Sequence, residues 1–170
     1  MSAYDVGLLI VRVCLGVTLA AHGLNKFFGG GRIPGTAAWF DSIGMRPGRF
    51  HALIAALAET TSGLLLALGL LTPVAAAGFV ALMCVAAWTV HRPNGFFIVK
   101  SGWEYNLVLA ATAVGVATTG PGHLSVDYLM FGDDNPLDGW TGLLIAVVLG
   151  LVGAIGQVLI FYRPPAKEPA

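Results

Sequence analysis

The sequence predicts an all-α integral membrane protein with five transmembrane helices, the fifth of them C-terminal. Three observations point there. Hydrophobic residues make up 56% of the 170-residue chain and charged ones only 11%, with a mean hydropathy of +0.80, a balance too apolar for an ordinary water-soluble domain. The apolar residues fall in runs of about 20, the length at which a helix crosses a bilayer core of about 30 Å. The Lys and Arg residues gather at alternate loops, as the cytoplasmic excess of positive charge requires. Formal net charge is zero, and no basic stripe interleaved with aromatic residues could follow a phosphate backbone, which sets nucleic acid aside as a partner.

Hydrocarbon offers the backbone no hydrogen-bond partners, so each apolar run must close its own as a helix. The first runs from Val6 to about Phe28; the residues before it lack the positive flank of a secretory signal, and the run continues for a full bilayer thickness. Phe50 to Leu71 is the second, punctuated by Gly48 and Pro73. Pro73 opens the third, which reaches Val90 and stops at His91-Arg92-Pro93-Asn94-Gly95. Trp103 to Thr119 is the fourth, ended by Gly120-Pro121-Gly122. Trp140 to Tyr162 is the fifth, with aromatic anchors at both ends. Spans over 6–28, 50–71, 73–90, 103–119 and 140–162 form one membrane domain, and 120–139 is an acidic outer loop. Between the first two spans, Thr36 to Ile43, with Trp39 and Phe40, reads equally as a short interfacial helix or a loop.

Charge orients this layout. All nine basic residues except Arg12 flank alternate loops or the tail: Lys26, Arg32, Arg46 and Arg49, then Arg92 and Lys100, then Arg163 and Lys167. The opposite face holds Asp5, Asp127, Asp133, Asp134 and Asp138. A multi-pass protein of the bacterial plasma membrane with its N-terminus outside and C-terminus cytoplasmic follows. In the fifth span Gly142, Ala146, Gly150 and Ala154 recur at every fourth position, a stripe that admits close approach of another helix, from this chain or from a second copy in a homo-oligomer. Cys14 and Cys84 have no CxxC spacing and read as small buried packing residues. The acidic group Asp133, Asp134, Asn135 and Asp138 lacks calcium-loop spacing and reads as a solvated turn. His51 and His123 read as solvated interface residues.

Charge inside the membrane carries the functional signal, because a lone ionised side chain at mid-helix costs about 2.5–3.5 kcal/mol on insertion scales. Arg12 and Glu59 are the main cases. At about 1.5 Å per residue, Arg12 lies about 9 Å below the outer end of span one and Glu59 about 18 Å below that of span two. Arg12 therefore meets Glu59 only by pointing inward, with a bridging group or water. Arg12, His22 and Lys26 share an arc of about 80° on span one. Glu59 lies on the small-residue row Ala55, Glu59, Gly63 and Ala67, which turns it toward another helix. A buried ion pair fixing helix register is the structural alternative. His22, His91, Asn94 and Glu104 are expected at similar depth in the inner half. Such a set could relay protons, bind a metal or hydrogen-bond the carbonyls of a quinone.

At these residues the chain resembles the DoxX family of small bacterial membrane proteins, from about Val6 to Tyr128. The resemblance is carried by Ala21-His22-Gly23-Leu24-Asn25-Lys26-Phe27-Phe28-Gly29, Leu57-Ala58-Glu59-Thr60, Gly69-Leu70-Leu71-Thr72-Pro73, His91-Arg92-Pro93-Asn94-Gly95-Phe96-Phe97, Glu104-Tyr105, Gly120-Pro121-Gly122 and Ser125-Val126-Asp127. It implies a four-helix membrane bundle, from which this chain departs by its fifth span. It also implies thiosulfate or quinone oxidoreduction, thiol-dependent oxidative-stress defence, and soluble partners such as a superoxide dismutase and a sulfurtransferase. His22, Lys26, Glu59, His91, Asn94 and Glu104 are the positions carried over.

The leading expectation is a quinone-linked redox subunit using menaquinone or ubiquinone. In it His22 and Glu59 exchange protons, Arg12 or Lys26 stabilises negative charge, and His91 or Asn94 holds a carbonyl oxygen. No flavin, iron–sulfur or haem signature accompanies them, so electrons would pass directly between quinone and a partner or small reductant. A non-enzymatic scaffold and a small-molecule or proton pathway are the rival readings.

Overall fold

The protein is described by a computed structural model over residues 2–164; Lys167, which entered the charge pattern, lies outside the described residues. Among the described residues seven helices of six residues or more follow one another: α1 (Ala3–Phe28), α2 (Arg32–Ser42), α3 (Gly48–Leu68), α4 (Thr72–Asn94), α5 (Glu104–Thr119), α6 (Val126–Phe131) and α7 (Gly139–Phe161). Two of them are not uniformly α. The last turns of α4 widen to π geometry over Ala87–His91 and tighten to 3₁₀ over Arg92–Asn94, and α7 carries a π segment at Ile145–Leu149. Among the described residues the sole extended pairing is a bridge between Met45 and Tyr162, which ties the end of α7 to the α2–α3 turn.

Four helices, α1, α3, α4 and α7, are long and apolar enough to cross a membrane. The C-terminal helix is one of these four. The segment expected from Trp103 to Thr119 forms a 16-residue helix, α5, and at about 24 Å it is shorter than a typical bilayer core of about 30 Å. Glycine-bearing turns cut it at both ends: Gly120 leaves the helix with a φ of 80°, and the 95–103 loop precedes it.

Local chemistry explains the boundaries. Ser2 and Asp5 form a capping box at the start of α1, the Ser2 oxygen accepting from the Asp5 N–H at 3.2 Å and the Asp5 carboxylate from the Ser2 N–H at 2.7 Å. Gly69, in the left-handed region with a φ of 64°, ends α3. Pro73 sits in the first turn of α4, where its missing N–H costs nothing. The segment around Trp39 and Phe40 is helical, as α2, and packs on α3.

The tightest packing joins α1 to α3. A Cβ on Gly16 would overlap the carbonyl of Gly63 and the backbone of Ala67; one on Gly63 would overlap the backbone of Ala20 and Gly16; one on Gly23 would strike Thr60. Small residues replace side-chain contact by backbone contact here, the strongest device available where lipid is as apolar as leucine. Next to this pair, α4 forms the centre of the bundle, packed against α3, α5 and α7. Leu19, Leu66, Phe79, Ala113, Val116 and Ala146 form one core cluster, and Phe40, Met45, Ala52, Val85 and Ala154 a second at the other end.

The small-residue stripe of α7 is used within the chain. Gly142 meets the carbonyl of Ala117 on α5, Gly150 meets Val80 on α4, and Ala146 and Ala154 are buried. A second copy would therefore have to dock on some other face. The cysteines also depart from expectation: Cys14 is exposed on the outer face of α1 and Cys84 is half-buried.

The α1–α3 crossing gives a direct test. Gly63→Ala is expected to destabilise the fold by about 1–3 kcal/mol, the usual range for forcing atoms into filled space. Gly7→Ala, where an added Cβ meets nothing, should leave stability unchanged or raise it by up to about 1 kcal/mol through helix propensity. Thermal unfolding of the two variants in detergent checks the contrast.

Candidate functional site

Lys26 and Glu59 make an ion pair across the α1–α3 crossing, with side chains 19% and 13% exposed. Lys26 reaches it from the last turn of α1, where its ammonium also lies 3.4 Å from the His22 carbonyl. The pair borders a cavity of about 130 Å³. Trp39 and Phe40 of α2 line it on one side, Ile54 and Glu59 of α3 on another, and Thr89 and Gln157 supply polar atoms from α4 and α7. Trp39 and Phe40 meet edge-on with ring centroids 5.0 Å apart. Thr89 lies in the π segment of α4, and its hydroxyl donates to the Val85 carbonyl at 2.8 Å. Single π turns shift the facing of the side chains they carry and recur at functional sites.

Behind the cavity, the Gln157 side-chain nitrogen lies 3.2 Å from Nδ1 of His51. His51 is fully buried, and its Nε2 has no hydrogen-bond partner. Phe50 and Phe161 stand edge-on to its ring at centroid distances of 5.2 and 4.8 Å. The solvated interface position expected for His51 is thus corrected: α7 returns over the start of α3 and encloses it.

The other candidates divide into three groups. His22 is exposed on α1, one turn before Lys26, and is an electrostatic neighbour of Glu59. His91, Asn94 and Glu104 build the α4–α5 loop. Nδ1 of His91 lies 2.7 Å from the Ser101 carbonyl, the Asn94 amide donates to the same oxygen at 3.2 Å, and the Glu104 carboxylate accepts from the Ile98 N–H at 2.9 Å. None of these three lines the cavity. Arg12 is the clearest departure. Its guanidinium does not turn inward to Glu59 but donates to the carbonyls of Ala67 at 3.2 Å and Leu124 at 2.5 Å. It is completely buried at the opposite end of the bundle, satisfying an orphan carbonyl at the C-terminus of α3.

Asp127 completes that end. It is fully buried and accepts from the Leu71 N–H at 2.7 Å, the Thr72 N–H at 2.9 Å and the Thr72 hydroxyl at 2.7 Å. A carboxylate there meets the free N–H groups and the positive end of α4. Asp127 is also the electrostatic counterpart of Arg12. The imidazole of half-exposed His123 lies 3.2 Å from Asp5 and 3.1 Å from Asp133. Asp138 accepts from Asn135 at 2.8 Å, and burial, then the charge of Asp127, raise its carboxyl above the ordinary range. The acidic loop is therefore partly folded into the protein, where a solvated turn was expected.

Sequence reasoning missed Gln157, Thr89 and His51. Gln157 had a readable signal, since it is the sole amide in an otherwise apolar span and amides in hydrocarbon seek a partner.

Fold and site together define a helical membrane bundle with one ion pair at a small aromatic-walled cavity. The chain belongs to the DoxX family, whose pattern matches residues 7–92. That stretch runs from α1 into the last turns of α4 and includes Lys26 and Glu59. A Bacillus subtilis (strain 168) protein named "Putative oxidoreductase CatD" is 31% identical over 130 residues, covering 76% of this chain and 91% of the relative. An uncharacterized protein of Haemophilus influenzae (strain ATCC 51907 / DSM 11121 / KW20 / Rd) is 29% identical over 133 residues, covering 74% of this chain and 83% of its own length. No solved structure matches the chain.

Asp127→Ala strips three donors of their acceptor and leaves Arg12 without its nearest countercharge. The expected loss is about 3–5 kcal/mol, as for breaking other buried charge pairs. A fall in unfolding midpoint in detergent, larger than that of the exposed-site variant Asp134→Ala, is the outcome to look for.

Proposed function

We propose that this protein is a quinone-linked redox subunit of the bacterial plasma membrane, acting with soluble redox partners, and that its site is the Lys26–Glu59 cavity. The observation that carries this reading is the pairing of a charged acid–base couple with an aromatic-walled cavity of about 130 Å³. Benzene occupies an engineered protein cavity of about 150 Å³, so the space suits one six-membered ring. The oxidoreductase name of the Bacillus subtilis relative supports the same class.

The residues fit a quinone headgroup. Trp39 and Phe40 offer ring faces and edges, and the Gln157 amide and Lys26 ammonium are the donors for carbonyl oxygens. A bound quinone supplies a two-electron, two-proton couple. Glu59 holds or accepts a proton at its carboxylate, and Lys26 stabilises negative charge beside it. His22, one turn away on α1 and an electrostatic neighbour of Glu59, is the group that exchanges protons with it. His51 orients Gln157 through their 3.2 Å contact. Electrons reach the site from a partner, with a superoxide dismutase and a sulfurtransferase the classes implied by the family resemblance.

In this reading α5 is a fifth, short span, the N-terminus lies outside and the C-terminus is cytoplasmic. The bundle supports such an orientation by collecting Asp5, Asp127, Asp133, Asp134 and Asp138 at one end and Lys26, Arg32, Arg46, Arg49, Arg92 and Lys100 at the other. A scaffold is the second reading, favoured by the direct closure of Lys26 on Glu59 and by the use of His91, Asn94 and Glu104 in building a loop.

Mass-spectrometric quantification of quinone in gently purified protein, at matched lipid content, separates the two. Near-stoichiometric quinone is expected in the wild type, falling about tenfold in Glu59→Gln and Gln157→Leu as hydrogen bonds of about 1.4 kcal/mol are lost, and falling less in His22→Ala. Background quinone in every sample would favour the scaffold. Orientation has its own test: a cysteine placed at Asp134, with Cys14 and Cys84 replaced by alanine, should react with an impermeant thiol reagent added outside intact cells.

A further inference from the structure

A groove on the outer face of the bundle lies apart from the Lys26–Glu59 cavity. It has two hollows that share Cys84 and Trp88. One, of about 220 Å³, runs between α4 and α7 along Leu151, Ile155 and Leu159. The other, of about 390 Å³, continues past Trp88 to Arg92 and Trp103. The first is wholly apolar in its side chains, and no carboxylate lines either one. The Arg92 guanidinium carbon stands 4.1 Å from the centroid of the Trp88 ring. Arg92 is exposed and, among the described residues, makes no ion pair.

We infer that this groove is a binding site for an anionic phospholipid, with an acyl chain along α4 and α7 and the phosphate at Arg92. Hydrocarbon fills any apolar groove in a bilayer, so the charge at its mouth decides which lipid is preferred. Arg92 meets the headgroup level at the end of α4, beside two tryptophans of the kind that anchor at the interface. Its stacking on Trp88 holds the planar fork in place, so little rotamer freedom is lost when it binds a phosphate. With no carboxylate nearby to neutralise it, Arg92 favours a headgroup with net negative charge over a zwitterionic one, as basic pockets between membrane helices do. Two ends of different chemistry, aliphatic at Leu151 and cationic at Arg92, match the two ends of such a lipid. This inference needs the membrane-spanning reading alone and does not rest on the quinone proposal.

Native mass spectrometry of the detergent-solubilised protein, titrated with phosphatidylglycerol or phosphatidylcholine, tests it. A saturable phosphatidylglycerol adduct is expected, with phosphatidylcholine weaker by about fivefold, the effect of one basic residue near a membrane surface. Arg92→Gln should abolish that preference and Arg92→Lys should keep part of it. Ile155→Trp, which fills the apolar hollow at an exposed position, should weaken both lipids. Arg163→Gln is the control for general surface charge, because Arg163 is exposed at the end of α7, lines neither hollow and donates to the carbonyls of Leu159 and Tyr162. Equal binding of the two lipids would overturn the assignment. So would an equal loss in Arg163→Gln, displacement of phosphatidylglycerol by an added isoprenoid quinone, or a dimer that excludes lipid from the groove.

Discussion

Backbone contact between α1 and α3 sets the positions of the charges inside this bundle. Gly16, Gly23 and Gly63 let the two helices touch where a Cβ on any of them would collide. With the helices so close, Lys26 can reach Glu59 from the end of α1, and Arg12 can reach the last carbonyls of α3. Both cations sit on the same helix and face the same neighbour, yet they resolve their charge at opposite ends of it. A wider separation would strand both in hydrocarbon, where an unpaired charge is costly.

The two ends do different work. At the acidic end the buried ionic groups have structural partners: Arg12 holds Ala67 and Leu124, Asp127 caps α4, and Asp5 accepts from the His123 N–H at 3.0 Å. Asp127 also stabilises a turn in which Leu71, not a glycine, adopts a φ of 47°. Left-handed backbone is unfavourable for a branched side chain, and the carboxylate's acceptance from the Leu71 and Thr72 N–H groups opposes that cost. At the basic end four polar residues line space: Lys26, Glu59, Thr89 and Gln157 all border one cavity.

The class of fold and the family were legible because each depends on local pattern. Apolar run length fixes helices in a bilayer, and the motifs around His22-Gly23 and Glu59 keep their order along the chain. Pairings were not legible in the same way. Depth reckoning separated Arg12 from Glu59 by about two turns, but the grouping of Arg12 with His22 and Lys26 on one face gave no hint that Arg12 would satisfy itself on backbone carbonyls, which leave no mark in sequence. His91, Asn94 and Glu104 cluster near one end of the bundle, as depth alone implies, but their partners are the loop's own Ser101 and Ile98. His51 looked solvated because its covering residue, Phe161, is remote in sequence and belongs to the helix that extends beyond the four-helix pattern.

The direct closure of Lys26 on Glu59 constrains any ligand of the cavity. A buried ion pair recovers in Coulomb energy and hydrogen bonds roughly what it lost in desolvation, so its two members are far less stable apart than together. A ligand that merely inserted between them would have to replace that whole interaction. One that hydrogen-bonds Gln157 and the aromatic edges first need not separate the pair. Chemistry that moves a proton and an electron together leaves the net charge of the cavity unchanged. A site of this size, whose one cation and one carboxylate are already paired, favours a neutral ligand, such as the quinone proposed above, over a permanently charged molecule.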